Sequence, residues 1–529
     1  MWKLVRTTRY LLGVAGVLLS VASMAASDTL VVAKNLEDVL SLDPAEAYEN
    51  TTGEILNNAY SRLVSRDPNK PSQVIGDVAD RWTAAADGVT FTFHIRGGQT
   101  FADGRPLTAE DAAWSLRRVV KLNKTPSFLF GQFGWTPANV DGLVRATTPE
   151  TLELKLGAAL APGLVLQLLA TSPASIVDAK AVQTHERDGD LGNAWLKTAW
   201  AGSGPFSIAT WKAKNAIVLQ SNHAYYGGKP LLERVIFRHV AESATQALLV
   251  AKGDVDMAYN LDPDQIKALS PAAAFNITNT RKLTEIYLPL NQKNPALADP
   301  RVRAALRSAI DYQGIAGNLL AGQWTVHQGL YGQGIPGALS KPIYHLDIAK
   351  AKQLLKEAGY DKGLTLNLDV EGGSPYPEIA QSIQATFAQA GITLNLLQSD
   401  RRQVVTKYRA REHEVILWHA SVDYNDPNAA ANDYALNENN ADDASLKNRA
   451  WRSGWVDSEA NKLTLAGQRE QDPQKRADLY TQLQQRVLDQ APYIFAFQQV
   501  EQIVLRADVK GFQSGPNFDS AVYTHVSKD

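Results

Sequence analysis

The segment from His419 to Asn428, HASVDYNDPN, gathers an imidazole, a hydroxyl and two carboxylates within one short stretch. Two uses for Asp423 follow from residue type alone. In a stretch this rich in Asp and Asn, a carboxylate commonly caps its own turn. A carboxylate can also make a charge-assisted hydrogen bond to a cation, stronger where water is excluded. Just upstream, His413, Glu414 and His419 offer the residue types of a zinc-protease helix. The two histidines are too widely spaced to share one helix face, and the intervening run Val415 to Trp418 favours strand, so that reading is rejected. The nine histidines show no metal-ligand spacing elsewhere. There is no Gly-x-Ser-x-Gly elbow, no phosphate-cradling Walker loop and no dinucleotide-binding glycine fingerprint. Cysteine is absent, which removes disulfides, thiolate catalysis, cysteine metal sites and lipid-anchored secretion. These patterns therefore offer no catalytic centre, no cofactor and no resident metal.

The elements that must position these residues alternate between helix and strand, which argues an α/β fold. Asp299 can cap a helix that Pro300 opens, with Val302, Leu306 and Ile310 on one face. A second helix runs from the cap Asp347 to the stop Gly359. Leu364, Leu366 and Leu368 alternate with polar residues as in a strand. A helix over about 377–390, a strand over 392–397 and the apolar run to Trp418 follow, leading into the turn-rich 421–428. One sheet with helices on its faces therefore covers 300–420.

The 529 residues are 45% hydrophobic and 20% charged, an ordinary globular composition with chain enough for about three domains. At the N-terminus, Lys3, Arg6 and Arg9 precede the apolar run Leu11 to Leu19 and the small-residue site Ser23-Met24-Ala25. This reads as a signal peptide over 1–25. Its removal takes three cations with it and moves the formal charge from −2 to −5, which suits neither nucleic acid nor an acidic membrane as partner. Export without a lipid anchor points to a Gram-negative periplasm.

Six blocks carry a resemblance. The most specific is Ala79 to Arg118, ADRWTAAADGVTFTFHIRGGQTFADGRPLTAEDAAWSLRR. There Asp87-Gly88 signals a hairpin, Phe91, Phe93 and Ile95 line one strand face, and Thr108 with Asp111 forms a capping box. The others are Gly202 to Phe206, Asn222 to Gly228, Lys252 to Asp256, Asn291 with Asp299 to Arg303, and Asp472 to Pro492 with Arg476, Tyr480 and Gln484. In this order they resemble the family 5 bacterial extracellular solute-binding proteins, the oligopeptide, dipeptide and nickel binders of ABC importers.

The resemblance implies a two-lobe periplasmic binding protein of class II, cluster C type, with an extra domain on one lobe. The first lobe would take 26–62, 198–287 and 495–529, the extra domain 63–197, and the second lobe 288–494. It further implies that Asp423 pairs with the α-ammonium group of a peptide, while main-chain groups near His419 and Ser421 pair with the ligand backbone as an added strand would. Trp418 would line a side-chain pocket or belong to the core. Tyr48 and Glu49 fall near a family position that faces the cleft. Arg409 or Arg411 is the candidate for the ligand carboxylate. The implied partners are a short peptide and the permease subunits of an ABC importer, with the protein acting as a monomer. Two alternatives stay open: a non-peptide solute (nickel chelate, opine, glutathione or haem), with His419 at the metal, or a peptide-binding sensor or chaperone without transport.

Overall fold

A computed structural model describes residues 28–68 and 70–529; the signal-peptide reading over 1–25 lies outside them. Three bodies form, each around its own apolar core.

The first is built on a nine-stranded mixed sheet. Thr29–Lys34 lies parallel to both Arg234–His239 and Met257–Ala258, and its Leu30 and Val32 are buried. They pack with Leu219, Phe237 and Tyr523. The second body holds a three-stranded parallel sheet in the order Ile392–Ser399, Leu364–Glu371, Val415–Ile416. Leu366, Leu368 and Leu394 of that sheet pack against Leu306, Leu355 and Phe387 of the helices Pro300–Ser308, Ile348–Glu357 and Tyr376–Gln389. The third is a four-stranded antiparallel sheet over 79–155, covered by the helix Ala109–Leu122. Phe91, Phe93 and Ile95 are buried in its core.

Local signals read as expected where backbone chemistry fixes them. The Asp87 carboxylate accepts from the Val89 and Thr90 amides, 2.8 and 3.0 Å away, across a turn in which Gly88 has φ +65°. Asp299 caps Arg301 N at 2.8 Å, Asp347 caps Lys350 N at 2.9 Å, and the Thr108–Asp111 capping box is present. The helix opened by Pro300 stops at Ser308, short of Ile310. Asp311 starts a new turn there by accepting from Gly314 N, so Ile310 keeps its burial but not its helix.

Two long antiparallel strands, Phe275–Pro289 and Tyr493–Arg506, join the first two bodies. At 15 residues the first reaches about 50 Å, enough to run through both. Their ladder pairs Phe275 to Arg281 with Arg506 to Val500, loses register, and resumes with Glu285 opposite Gln498. Beyond the break, Ile286 and Phe497 pack into the core of the second body. The short strand Trp418–Ser421 adds to the edge of this sheet, with Thr284 opposite Ser421 and Tyr287 opposite Trp418.

Candidate functional site

Because Trp418–Ser421 is an edge strand, half of its backbone N–H and C=O groups point away from the sheet. Residues 418–424 line a cavity of about 570 Å³, closed on the other side by Tyr48, Asn50 and Phe518 of the first body and by Phe128 and Gln132 of the third. All three bodies thus meet around one space, of a size typical for small-molecule sites.

Asp423 stands where the bodies touch. The Tyr48 hydroxyl donates to its Oδ1, and among the described residues no cation pairs with it. Burial pushes its pKa up to about 6; the Tyr48 hydrogen bond opposes the rise, the nearby Asp433 adds to it, and Arg449 offsets part. The turn-capping work belongs to Asp426. Its carboxylate accepts from Asn428 N at 2.8 Å, opens the helix Pro427–Tyr434, and is held by both terminal nitrogens of Arg476 at 2.6 and 2.8 Å. Asp423 is left with a neutral hydroxyl as its side-chain partner.

The other residues singled out in the sequence divide. Tyr48 lines the cavity with its ring edge-on to Phe128, centroids 5.8 Å apart. Ser421 lines it too, its hydroxyl 2.6 Å from that of Thr284 across the ladder. His419 faces the cavity but is engaged: its ring stacks on Tyr376 at 4.8 Å, and its Nε2 lies 3.2 Å from Glu371 and touches Arg401. Trp418 serves both readings, being 9% exposed, packed 5.5 Å from Tyr408, and covered by the Arg401 guanidinium at 5.0 Å. Arg409 lines the wall and is exposed.

Two candidates stand elsewhere. The Glu49 carboxylate turns back to accept from Tyr48 N at 3.1 Å, and borders a side cavity of only about 20 Å³ behind Asp423. Arg411 does not reach the site. Its backbone is left-handed, φ +61°, which aims the buried side chain at Asn440 O and Oδ1, 3.0 and 2.8 Å away, with the guanidinium 4.4 Å over Trp451. His413, the other half of the rejected zinc pattern, is enclosed edge-on to Tyr408, and burial pushes its pKa down to about 3. Among the described residues, no three His, Cys, Asp or Glu side chains are grouped to hold a metal ion.

Several wall residues gave no sequence signal. Lys447, Arg449 and Arg452 come from a surface loop and the four-residue helix Arg449–Arg452. The Asn448 amide anchors that helix by donating to Asn432 O and Leu436 O, 2.7 and 2.6 Å away. Burial works against the Arg449 charge, but Asp433, with which it pairs, raises its pKa well above the usual value. Nothing in the local pattern of this loop announces a binding surface.

A second cavity, of about 380 Å³, shares Asn50, Thr284, Ser421 and Phe518 with the first. Its two lysines are neutralised within the chain. Lys34 pairs with Glu54, and Lys282 sits 3.0 Å from Glu501 while donating to Gly515 O at 2.9 Å.

Residues 73–442 match the bacterial extracellular solute-binding proteins, family 5 Middle. A probable D,D-dipeptide-binding periplasmic protein of Escherichia coli K12, DdpA, is 30% identical over 494 residues, covering 92% of each chain. The glutathione-binding protein GsiB of Salmonella choleraesuis is 24% identical, covering 91% of each. The periplasmic binding protein DppA of Helicobacter pylori, solved in complex with the peptide STSA, superposes with a TM-score of 0.79 at 22% identity, covering 94% of this chain and 98% of its own. The fold they share is two lobes about a cleft.

Proposed function

The chain belongs to the family 5 bacterial extracellular solute-binding proteins, and from that premise we propose that it captures a short peptide between its lobes for the permease of an ABC importer. The observation that carries this reading is Asp423: a half-buried carboxylate where the bodies meet, beside an open strand edge, with no cation paired to it among the described residues. A peptide supplies what such a site lacks. Its α-ammonium would bond Asp423, and its backbone would pair with the free edge of Trp418–Ser421.

The lobes would follow the divisions at 26–62, 198–287 and 495–529 for the first, 63–197 for the extra domain and 288–494 for the second. The hinge would lie at the ladder break between Arg281 and Glu285, opposite Gln498 to Val500. Ligand bridging both lobes stabilises the closed form, which the permease would recognise. The setting is the periplasm, reached through the leader at 1–25, with the protein a monomer. The name of DdpA supports a peptide as the solute, while that of GsiB speaks for the glutathione alternative.

Native mass spectrometry of protein purified gently from periplasm, followed by denaturing release, tests the reading. A set of masses matching short peptides is expected. One defined non-peptide mass, or a metal adduct, would overturn it and move attention to His419.

A further inference from the structure

The charges on the cavity wall do not balance. Of the cations lining it, Arg449 pairs with Asp433, and Arg401 sits 2.8 Å from Glu371. Among the described residues, Arg409, Lys447 and Arg452 pair with no carboxylate. Exposure explains this for Arg409 and Lys447, which water can solvate. Arg452 is half-buried, and its Nε is enclosed and lacks a hydrogen-bond partner among the described residues. Its guanidinium is held 5.2 Å over the Tyr408 ring, a placement that fixes the planar fork without neutralising it. Three cations unpaired on one wall give the cavity a positive potential, so an anion from outside the chain is the group this arrangement suits.

A neutral peptide would bring one ammonium and one terminal carboxylate. The ammonium would satisfy Asp423 and the carboxylate one of the three cations, while the other two, though solvated, keep the wall positive and attract a further carboxylate on the solute. We infer that the solute is an acidic short peptide, with at least one carboxylate beyond its C-terminal one, received by Arg452 with Lys447 and Arg409. This rests on the peptide reading above and narrows it. The same wall carries Phe128 and Leu446, 49% and 41% exposed, so the peptide's apolar carbons would lie beside them while its carboxylates face the arginines.

Calorimetric titration of the mature full chain with Ala-Ala-Ala, Ala-Glu-Ala and Ala-Lys-Ala tests this. Ala-Glu-Ala should bind about tenfold tighter than Ala-Ala-Ala, Ala-Lys-Ala should bind weakest, and added salt should narrow the gap. The Glu preference should collapse in the double variant Arg452→Gln, Lys447→Gln, and persist in Arg452→Lys, which keeps the charge. A thermal melt of each variant separates lost recognition from lost folding. Equal affinity for the three peptides, or a preference for Ala-Lys-Ala, would overturn the acidic assignment and leave the peptide reading standing. No binding by any of the three to folded wild-type protein would count against both.

Discussion

Asn50, Thr284, Ser421 and Phe518 separate two cavities whose cations are matched differently. On one side, Lys34 and Lys282 each rest on a carboxylate of the same chain, and Lys282 also donates to the backbone at Gly515. On the other, among the described residues, Asp423 pairs with no cation and takes the Tyr48 hydroxyl, and Arg452 pairs with no carboxylate and lies over the Tyr408 ring. Charges matched within the chain hold the fold together; Asp423 and Arg452, unmatched, are where we place the partner. Composition alone would not have told the two cavities apart.

If that distinction is right, removing an unmatched charge should damage binding, and removing a matched one should damage stability. Asp423→Ala should weaken peptide binding by about 4 kcal/mol, roughly a thousandfold, because it strands the ligand ammonium in the closed site. Calorimetry reads this directly, and a loss under about threefold would remove Asp423 from the ligand. Lys282→Ala should do the reverse, lowering unfolding stability by about 2 kcal/mol through the half-buried Glu501 pair and its backbone bonds. Its effect on peptide affinity should be small by comparison, as denaturant melts beside titrations would show.

Acidity sharpens the contrast. Burial holds the Asp423 pKa at about 6 in the unliganded protein, so the carboxylate loses its charge as pH falls through 6. Affinity for the ammonium should drop about tenfold between pH 7.5 and 5. The stability of the unliganded protein has the opposite sign. A carboxyl whose pKa is raised by folding destabilises the native state above about pH 6, and that penalty is relieved as pH falls from 6 towards its ordinary value near 4. Asp423→Asn should flatten both profiles; an unchanged profile would assign the titration to another group.

Smaller effects come from the neighbours. Tyr48→Phe removes the hydrogen bond to Asp423 and should change affinity by about 1 kcal/mol, while raising the pH at which binding is lost. Arg411→Gln should leave affinity unchanged and lower stability, since its guanidinium serves Asn440 and Trp451.

What the sequence disclosed follows the range of the forces involved. The Asp87-Gly88 hairpin and the caps at Asp299 and Asp347 were legible because donor and acceptor lie within a few residues of each other. The over-long helix through Ile310 was read from periodicity, which cannot see that Asp311 opens a fresh turn. That Asp423 lines the cavity follows the family context, whereas its Tyr48 contact requires the first body to be folded against the second. Arg452, Lys447 and Arg449 were not legible. They reach the cavity because Asn448 ties their loop to Asn432 and Leu436, and no local spacing encodes that. Arg409 and Arg411 looked equivalent on the page, and a left-handed backbone at 411 alone sends one of them away.

Whether Asp423 receives the ammonium group of a peptide is decided by a cycle on one peptide recovered from the protein, titrated free and N-acetylated against wild type and Asp423→Asn. Acetylation should cost wild type about a hundredfold or more in affinity, and should cost the variant almost nothing. An equal loss in both proteins would place the ammonium elsewhere in the cleft and contradict the account.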